Sequence, residues 1–543
     1  MIERAGRRGV NATGIRGRTA LLQHSLNRFP GAVAMRVRVL ENLHPAAHHP
    51  QHRASNRFFD RYILLSDREA TGDTDAAGFC RAYQTCWHPV LMARFASGNW
   101  VQQVWHPSCR PRSSEPFPAL SWASRGCAHP SPAGDGQPPA KSRKAQTMKI
   151  TDMKARTVAI PLTCQLRHNT GVHPGYFLRT ILELVTDEGI IGLGEVGGGD
   201  QRGALLRLKP RIVGLDPFHL ETIKLKTLRS IYYLANARLY AAIEMACLDI
   251  QGKALGRPVS DLLGGRVRDR IPFIAYLFWR YDRPGGGDDE RPEDLADWCV
   301  ELHETLGVNA MKLKAGVMDP WQELRVMRLC RRRLGERFGL RIDPNGTWSV
   351  PTAVRIGRAM EELDIEYFED PAWGLEGNAA VRKQVRIPIA TNMYPAKFDD
   401  LGPAIRLGAV DIVLTDLHYW EGPRGVKDLC AVCNSFGLGI AMHSGAEFGI
   451  ELAAMLHTAS TIPQMTFAGD AHYHYLTDDI IEGGLMTYEN GCIAVPTGPG
   501  LGVTLDEAKM TRYERLYEEQ GDYYARFHAD PRRPEWYPIV GGT

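Results

Sequence analysis

The 543-residue chain has no apolar run of the ~18 residues that a membrane span needs, so no membrane role is expected. Its opening, MIERAGRRGVNATG, lacks the apolar core of a secretory signal. Acidic residues are scarce at the start. Residues 1–147 hold nine Asp and Glu against 18 Arg and two Lys, a net +11 inside a chain whose formal charge is only +3. Those arginines are dispersed rather than gathered on a periodic face, which argues against a nucleic-acid partner. Paired cysteines are also missing. Of eleven, the closest two are Cys430 and Cys433, in CAVC within a helical pattern and with no second pair nearby. Buried thiols of a reducing, cytoplasmic protein fit this better than a zinc or redox site.

Residues 1–147 show few periodic apolar segments, and Trp, His, Cys, Pro and Arg are mixed without pattern, as in CWHPV and HPSPAGDGQPPAKSRK. This region reads as a disordered or spuriously translated extension, with a very long transit peptide as the alternative. Met148 then opens MKITDMKARTVAIPL, an alternating strand. Strand-like segments 149–161 and 177–186 precede the turn DEGIIG and GLGEV. Helical patterns follow at 218–230 and in NARLYAAIEMACLDIQGKALG, where Leu239, Ile243, Ala246 and Ile250 share a face and Gly252 and Gly256 mark the end. Residues 148–265 therefore form a small α+β domain.

Eight short β-rich runs come next: RIPFIAYL (270–277), AMKLK (310–314), GLRID (339–343), IEYFED (365–370), IPIATN (387–392), VDIVLTD (410–416), LGIAMHS (438–444) and MTFAGD (465–470). The later ones recur about every 25 residues, the length of a strand, a helix and two loops. Eight such units close into a parallel (β/α) barrel of the TIM type over 266–543. A doubly wound sheet is disfavoured because no Gly-rich phosphate loop follows the first strand.

Barrel active sites form where the strands end. Here the ends carry Lys312 and Lys314, Asp343 and Asn345, Glu369, Asn392, Asp416 and His443. One polar residue at a strand end is ordinarily a loop cap; six consecutive strands ending in Lys, Asp, Glu, Asn, Asp and His exceed what capping explains. Asp343, Glu369 and Asn392 are oxygen donors on adjacent strands, suited to a hard cation such as Mg²⁺. Lys312 and Lys314 are two apart and point to one face. Asp416 beside His443 would orient the imidazole. The set suits removal of a weakly acidic proton next to a carboxylate, with cationic groups stabilising the enediolate that results.

Carried by the text MKLKAGV, RIDPNGTWS, EYFEDP, PIATNM, DIVLTDLHYW, GIAMHS, GGL and PGLGV, the chain from about residue 148 to 506, and on toward the end, resembles the glucarate dehydratase branch of the enolase superfamily, of the mandelate racemase/muconate lactonizing enzyme type. The resemblance implies a modified barrel behind an N-terminal α+β capping domain, with the C-terminal segment returning to the cap. It implies Mg²⁺ on Asp343, Glu369 and Asn392, and Lys314 as the base on one face. His443, oriented by Asp416, would be the base on the other. Lys312 and Asn345 would steady the enediolate and substrate. His173 matches a lid position, and Tyr276, Phe278, Ser444 and His472 match substrate-binding positions. The implied reaction is dehydration of a sugar diacid to a keto-deoxy diacid. One departure falls after His443: where the family tends to read Ser-Asn-Asn-His, this chain has Ser444-Gly445-Ala446-Glu447. The loop after Asp370 is also short. Which acid sugar is used therefore stays open, as do racemisation and cycloisomerisation by the same enolisation. Outside the family, the residues leave a Schiff-base aldolase on Lys312 or Lys314 and a non-catalytic binding protein. Assembly as a homo-oligomer is also left open.

Overall fold

The computed structural model describes residues 147–228, 236–522 and 529–533, and the backbone pairing of Arg38–Val39 with Ile63–Leu64. The chain divides into two units, Met1–Gly136 and Gln137–Thr543. The expected disorder of residues 1–147 otherwise falls outside the described residues. Among the described helices none is long and apolar enough to cross a membrane.

The second unit opens with an antiparallel sheet of β1 (Ile150–Pro161), β4 (Tyr176–Thr186) and β5 (Ile191–Val196), in that spatial order. Between β1 and β4 lies a hairpin, β2 (Gln165–His168) and β3 (Gly171–His173). Helices α1 (Arg202–Ile212), α2 (Leu220–Leu228) and α3 (Ala237–Leu255) follow. Helix α3 is buried all round from Leu239 to Gly252. It can lie against β5 because Gly192 and Gly194 have no side chains; a Cβ on either would fall 2.1 Å from a carbonyl oxygen of α3. Gly256 ends α3 in the left-handed conformation, as expected. Gly252, expected to mark the same end, instead sits inside the helix, where Gly500 approaches too closely for a Cβ.

Seven parallel strands form the curled sheet: β7 (Ala275–Leu277), β9 (Ala310–Lys314), β10 (Gly339–Asp343), β11 (Tyr367–Glu369), β12 (Ile389–Thr391), β13 (Ile412–Thr415) and β14 (Gly439–Met442), neighbours in chain order. Helices α4 (Pro292–Leu306), α5 (Pro320–Leu334), α6 (Val350–Met360), α7 (Gly374–Arg382), α8 (Phe398–Leu407), α9 (Gly422–Ser435) and α10 (Gly449–Ser460) follow the strands in turn. Inside, Tyr367, Ala390, Ile412, Leu414 and Ala441 pack as one cluster.

Two of the eight expected runs behave differently. The run 270–277 breaks after Pro272, which has no N–H to continue a ladder. Its first half, β6 (Arg270–Pro272), pairs antiparallel with Cys492–Ala494, and only its second half enters the barrel as β7. The run 465–470 forms no strand. It lies between the two edges of the sheet, with Phe467 and Asp470 donating to Ile440 and Met442 on one side and Gly469 donating to Pro272 on the other. These bonds close the barrel without a full ladder. Directly after β7, strand β8 (Trp279–Tyr281) pairs with β2, so the hairpin β2–β3 is hydrogen-bonded to the rim of the barrel.

Candidate active site

Strand alternation on β9 sends Lys312 and Lys314 to the same side. Lys312, fully buried, donates to Glu369 Oε2 at 2.8 Å and to Asp470. Burial works against its charge, but Asp470 and Glu369 outweigh burial and hold its pKa well above the ordinary value. Lys314 donates to Asp343 Oδ2 at 2.5 Å and to the Tyr276 hydroxyl at 3.1 Å. Burial opposes its charge too, yet the Asp343 carboxylate raises its pKa. The other Asp343 oxygen accepts the Asn345 N–H at 2.8 Å, and Asn345 takes a left-handed φ of 49° that asparagine tolerates.

Carboxylate oxygens of Asp343, Glu369 and Asp370 lie within 4.8 Å of one another, all buried. Asp370 was not expected in this cluster. Both of its oxygens are committed: one to Thr391 and Asn378, the other to the backbone N–H of Asn392 and Met393. By contrast Glu369 Oε1 and Asn392 Oδ1 are buried without a hydrogen-bond partner. Orphaned oxygens next to crowded carboxylates are what a hard divalent cation satisfies, so the donor set fits one.

Across the barrel mouth, His443 Nδ1 donates to Asp416 Oδ2 at 2.8 Å. With Nδ1 protonated, Nε2 carries the lone pair and accepts the Asn392 amide at 2.7 Å. Asp416 is buried, which alone would raise its pKa; the His443 hydrogen bond outweighs this and lowers it. Tyr419 stacks on the His443 ring with centroids 6.1 Å apart, and Arg238 donates to the Tyr419 hydroxyl at 2.9 Å.

A cavity of about 440 Å³ opens between these groups. Of the residues expected in the site, His173, Tyr276, Phe278, Lys314, Asn345, Asn392, Asp416, His443, Ser444 and His472 line it. Lys312, Asp343 and Glu369 are not on its wall and are fully buried. Burial and the charge of Lys314 push His173 down to about 3 and hold it neutral. Sequence reasoning missed Asp470, Arg238, Tyr419 and Asn169. Asp470 carried the same signal as the others, since it ends the eighth run. Asn169, in the hairpin, donates to Thr347 in the loop after β10, and nothing in its local sequence marks that contact.

The cap also grips the loop behind His443. Arg179 on β4 donates to Gly445 O at 2.8 Å and is ion-paired with Glu195 on β5 and Glu451 on α10. Glu195 in turn accepts the N–H groups of Phe448 and Glu451.

Two family models match the chain: the mandelate racemase / muconate lactonizing enzyme N-terminal domain over residues 170–264, and the enolase C-terminal domain-like family over 294–509. A probable glucarate dehydratase of Streptomyces coelicolor is 35% identical over 408 residues, covering 68% of this chain and 93% of that protein. A chloromuconate cycloisomerase of Cupriavidus pinatubonensis is 27% identical, over 64% of this chain and 93% of its own length. Among solved structures, an enolase from Pseudomonas fluorescens with bound magnesium, potassium and tartrate is 32% identical. It superposes with a TM-score of 0.66 over 73% of this chain and all of that one. With the capping sheet, the parallel barrel and the buried acid cluster in place, the chain belongs to the mandelate racemase / muconate lactonizing enzyme group of the enolase superfamily, a family of metal-dependent enzymes.

Proposed function

We propose that the protein is a Mg²⁺-dependent hydro-lyase acting on an acid sugar, a hexarate of the glucarate type. The observation that carries this reading is the placement of Lys314 and the His443–Asp416 pair on one cavity, beside buried oxygen donors. Asp343, Glu369 and Asn392 would hold the cation, with Asp370 occupied in shaping the loop that presents Asn392. Bound there, Mg²⁺ supplies positive charge to a substrate carboxylate and acidifies the proton beside it.

His443 Nε2, its lone pair directed by Asp416, takes the α-proton. Lys312, kept cationic by Asp470 and Glu369, steadies the negative oxygens of the enediolate, helped by Asn345. The protonated His443 then returns a proton to the β-hydroxyl, which leaves as water, and the enol product becomes a keto-deoxy diacid. Lys314 serves the opposite face and the epimeric substrate. Its ion pair with Asp343 holds its proton, and Asp343 is also one of the residues that would hold the cation. The 35% identity with a probable glucarate dehydratase supports dehydration, and the tartrate in the Pseudomonas relative supports a hydroxylated diacid.

A panel of aldarates and aldonates with Mg²⁺, assayed for 2-keto-3-deoxy products, tests the proposal. Dehydration of at least one hexarate is expected. Epimerisation or cycloisomerisation without loss of water would overturn it.

A further inference from the structure

The loop after His443 is where the sequence leaves the family's usual Ser-Asn-Asn-His, and Glu447 ends the changed stretch. Its side chain is fully buried. Ser444 Oγ donates to Glu447 Oε2 at 2.5 Å, lies 2.7 Å from His472 Nδ1, and accepts the His472 backbone N–H at 3.0 Å. A serine hydroxyl has one proton to give. If the ionised Glu447 takes it, Ser444 can only accept from the imidazole, so Nδ1 must carry the ring proton. His472 faces the cavity beside Tyr276 and Phe278, with ring centroids 4.7 and 5.2 Å away.

We propose that Glu447, acting through Ser444, fixes His472 as the neutral Nδ1–H tautomer. Its Nε2 then offers a bare lone pair to a substrate hydroxyl and turns a carboxylate away from that corner. Glu447 is a positioning residue, since it touches His472 only through Ser444. Two acceptors facing each other repel, so the tautomer decides which end of a hydroxy diacid lies against His472. Burial, with the nearby histidines and Lys314, keeps His472 neutral, which removes the doubly protonated ring as a competitor. Burial also pushes Glu447 up to about 7, so the ionised form belongs to alkaline solution. The ligand assignment rests on the acid-sugar reading; the tautomer assignment does not.

The test is ¹⁵N NMR of histidine-labelled full-length protein at alkaline pH without substrate. The His472 ring signals are identified by their loss in His472→Gln. The wild type is expected to show a protonated Nδ1 and an unprotonated Nε2. Glu447→Gln, whose amide oxygen still accepts from Ser444, is expected to keep that state. In Glu447→Leu the hydroxyl has no other acceptor and turns to Nδ1, so the proton moves to Nε2. An Nε2–H tautomer in the wild type overturns the proposal whether or not the leucine variant folds, and so does an unchanged tautomer in Glu447→Leu. With a turned-over substrate, KM should rise up to about tenfold in Glu447→Leu and stay near wild type in Glu447→Gln, the scale of one lost hydrogen bond. A tautomer that switches in a protein dehydrating no acid sugar would refute the substrate reading alone.

Discussion

Glu369 and His443 separate the two halves of the proposed chemistry. Glu369→Gln is nearly isosteric and removes one ligand charge, so turnover should fall to background while the melting transition persists. Chelation should likewise abolish turnover and added Mg²⁺ restore it; full activity in excess EDTA would dismiss the cation site. His443→Asn removes both the proton acceptor and the donor to the leaving hydroxyl. General acid–base help is worth roughly 10²–10⁴-fold in each step, so dehydration should disappear. Deuterium should still enter the α-position of the epimer through Lys314, and retained dehydration would exclude His443 from its role. Most of this constellation was legible in the sequence because each member ends a strand, and the barrel gathers strand ends. The less legible members owe their place to contacts made across the chain. Asp470 meets Lys312 from 158 residues away, and Asn169 meets Thr347 from 178 away. Spacing within a segment carries no trace of either.

Among the elements, α10 holds three parts of the unit together through His457. The imidazole accepts the Ser260 N–H at 3.2 Å and donates to Leu501 O at 3.1 Å, which requires the neutral ring. Burial holds its pKa down at about 4, below the ordinary 6.5. The sign follows from proton uptake. Between these values the unfolded chain binds a proton that the native state refuses, so the stability His457 contributes is whole above 6.5 and drains as pH falls toward 4. At about 1.4 kcal/mol per unit the loss is on the order of 3 kcal/mol at most. His457→Gln keeps an acceptor and a donor but cannot titrate. Its melting temperature should fall less steeply than the wild type's across that window; equal slopes would show that His457 is not responsible. Element boundaries were readable where a residue type dictates them. Gly256 was found at the end of α3, and β1 and β4 fall within a residue of the expected segments. Pro272 was the available signal for the broken first strand. The failure of 465–470 to form a strand had no such mark, since it reflects how the barrel closes.

At the scale of the whole molecule, composition sets residues 1–147 apart from the sequence that builds the cap and barrel. A chain starting at Met148 should melt at the same temperature and turn over at the same rate as the full chain. A stability loss beyond about 1 kcal/mol, outside ordinary surface effects, would show that the early residues contribute to the fold. Within the second unit, the Arg179 network bears on how cap and barrel can be inherited or engineered. The guanidinium comes from the cap, while Glu451, Gly445 and the N–H groups that satisfy Glu195 come from the barrel. A cap transplanted from a relative that lacks the arginine would take the guanidinium from a buried carboxylate and leave Glu451 with His418 alone, 2.8 Å away. Removing one partner of a buried ion pair costs roughly 3–5 kcal/mol. The two parts must therefore change together, and a library that shuffles caps over this barrel would recover working chimeras chiefly from donors carrying the same Arg and Glu.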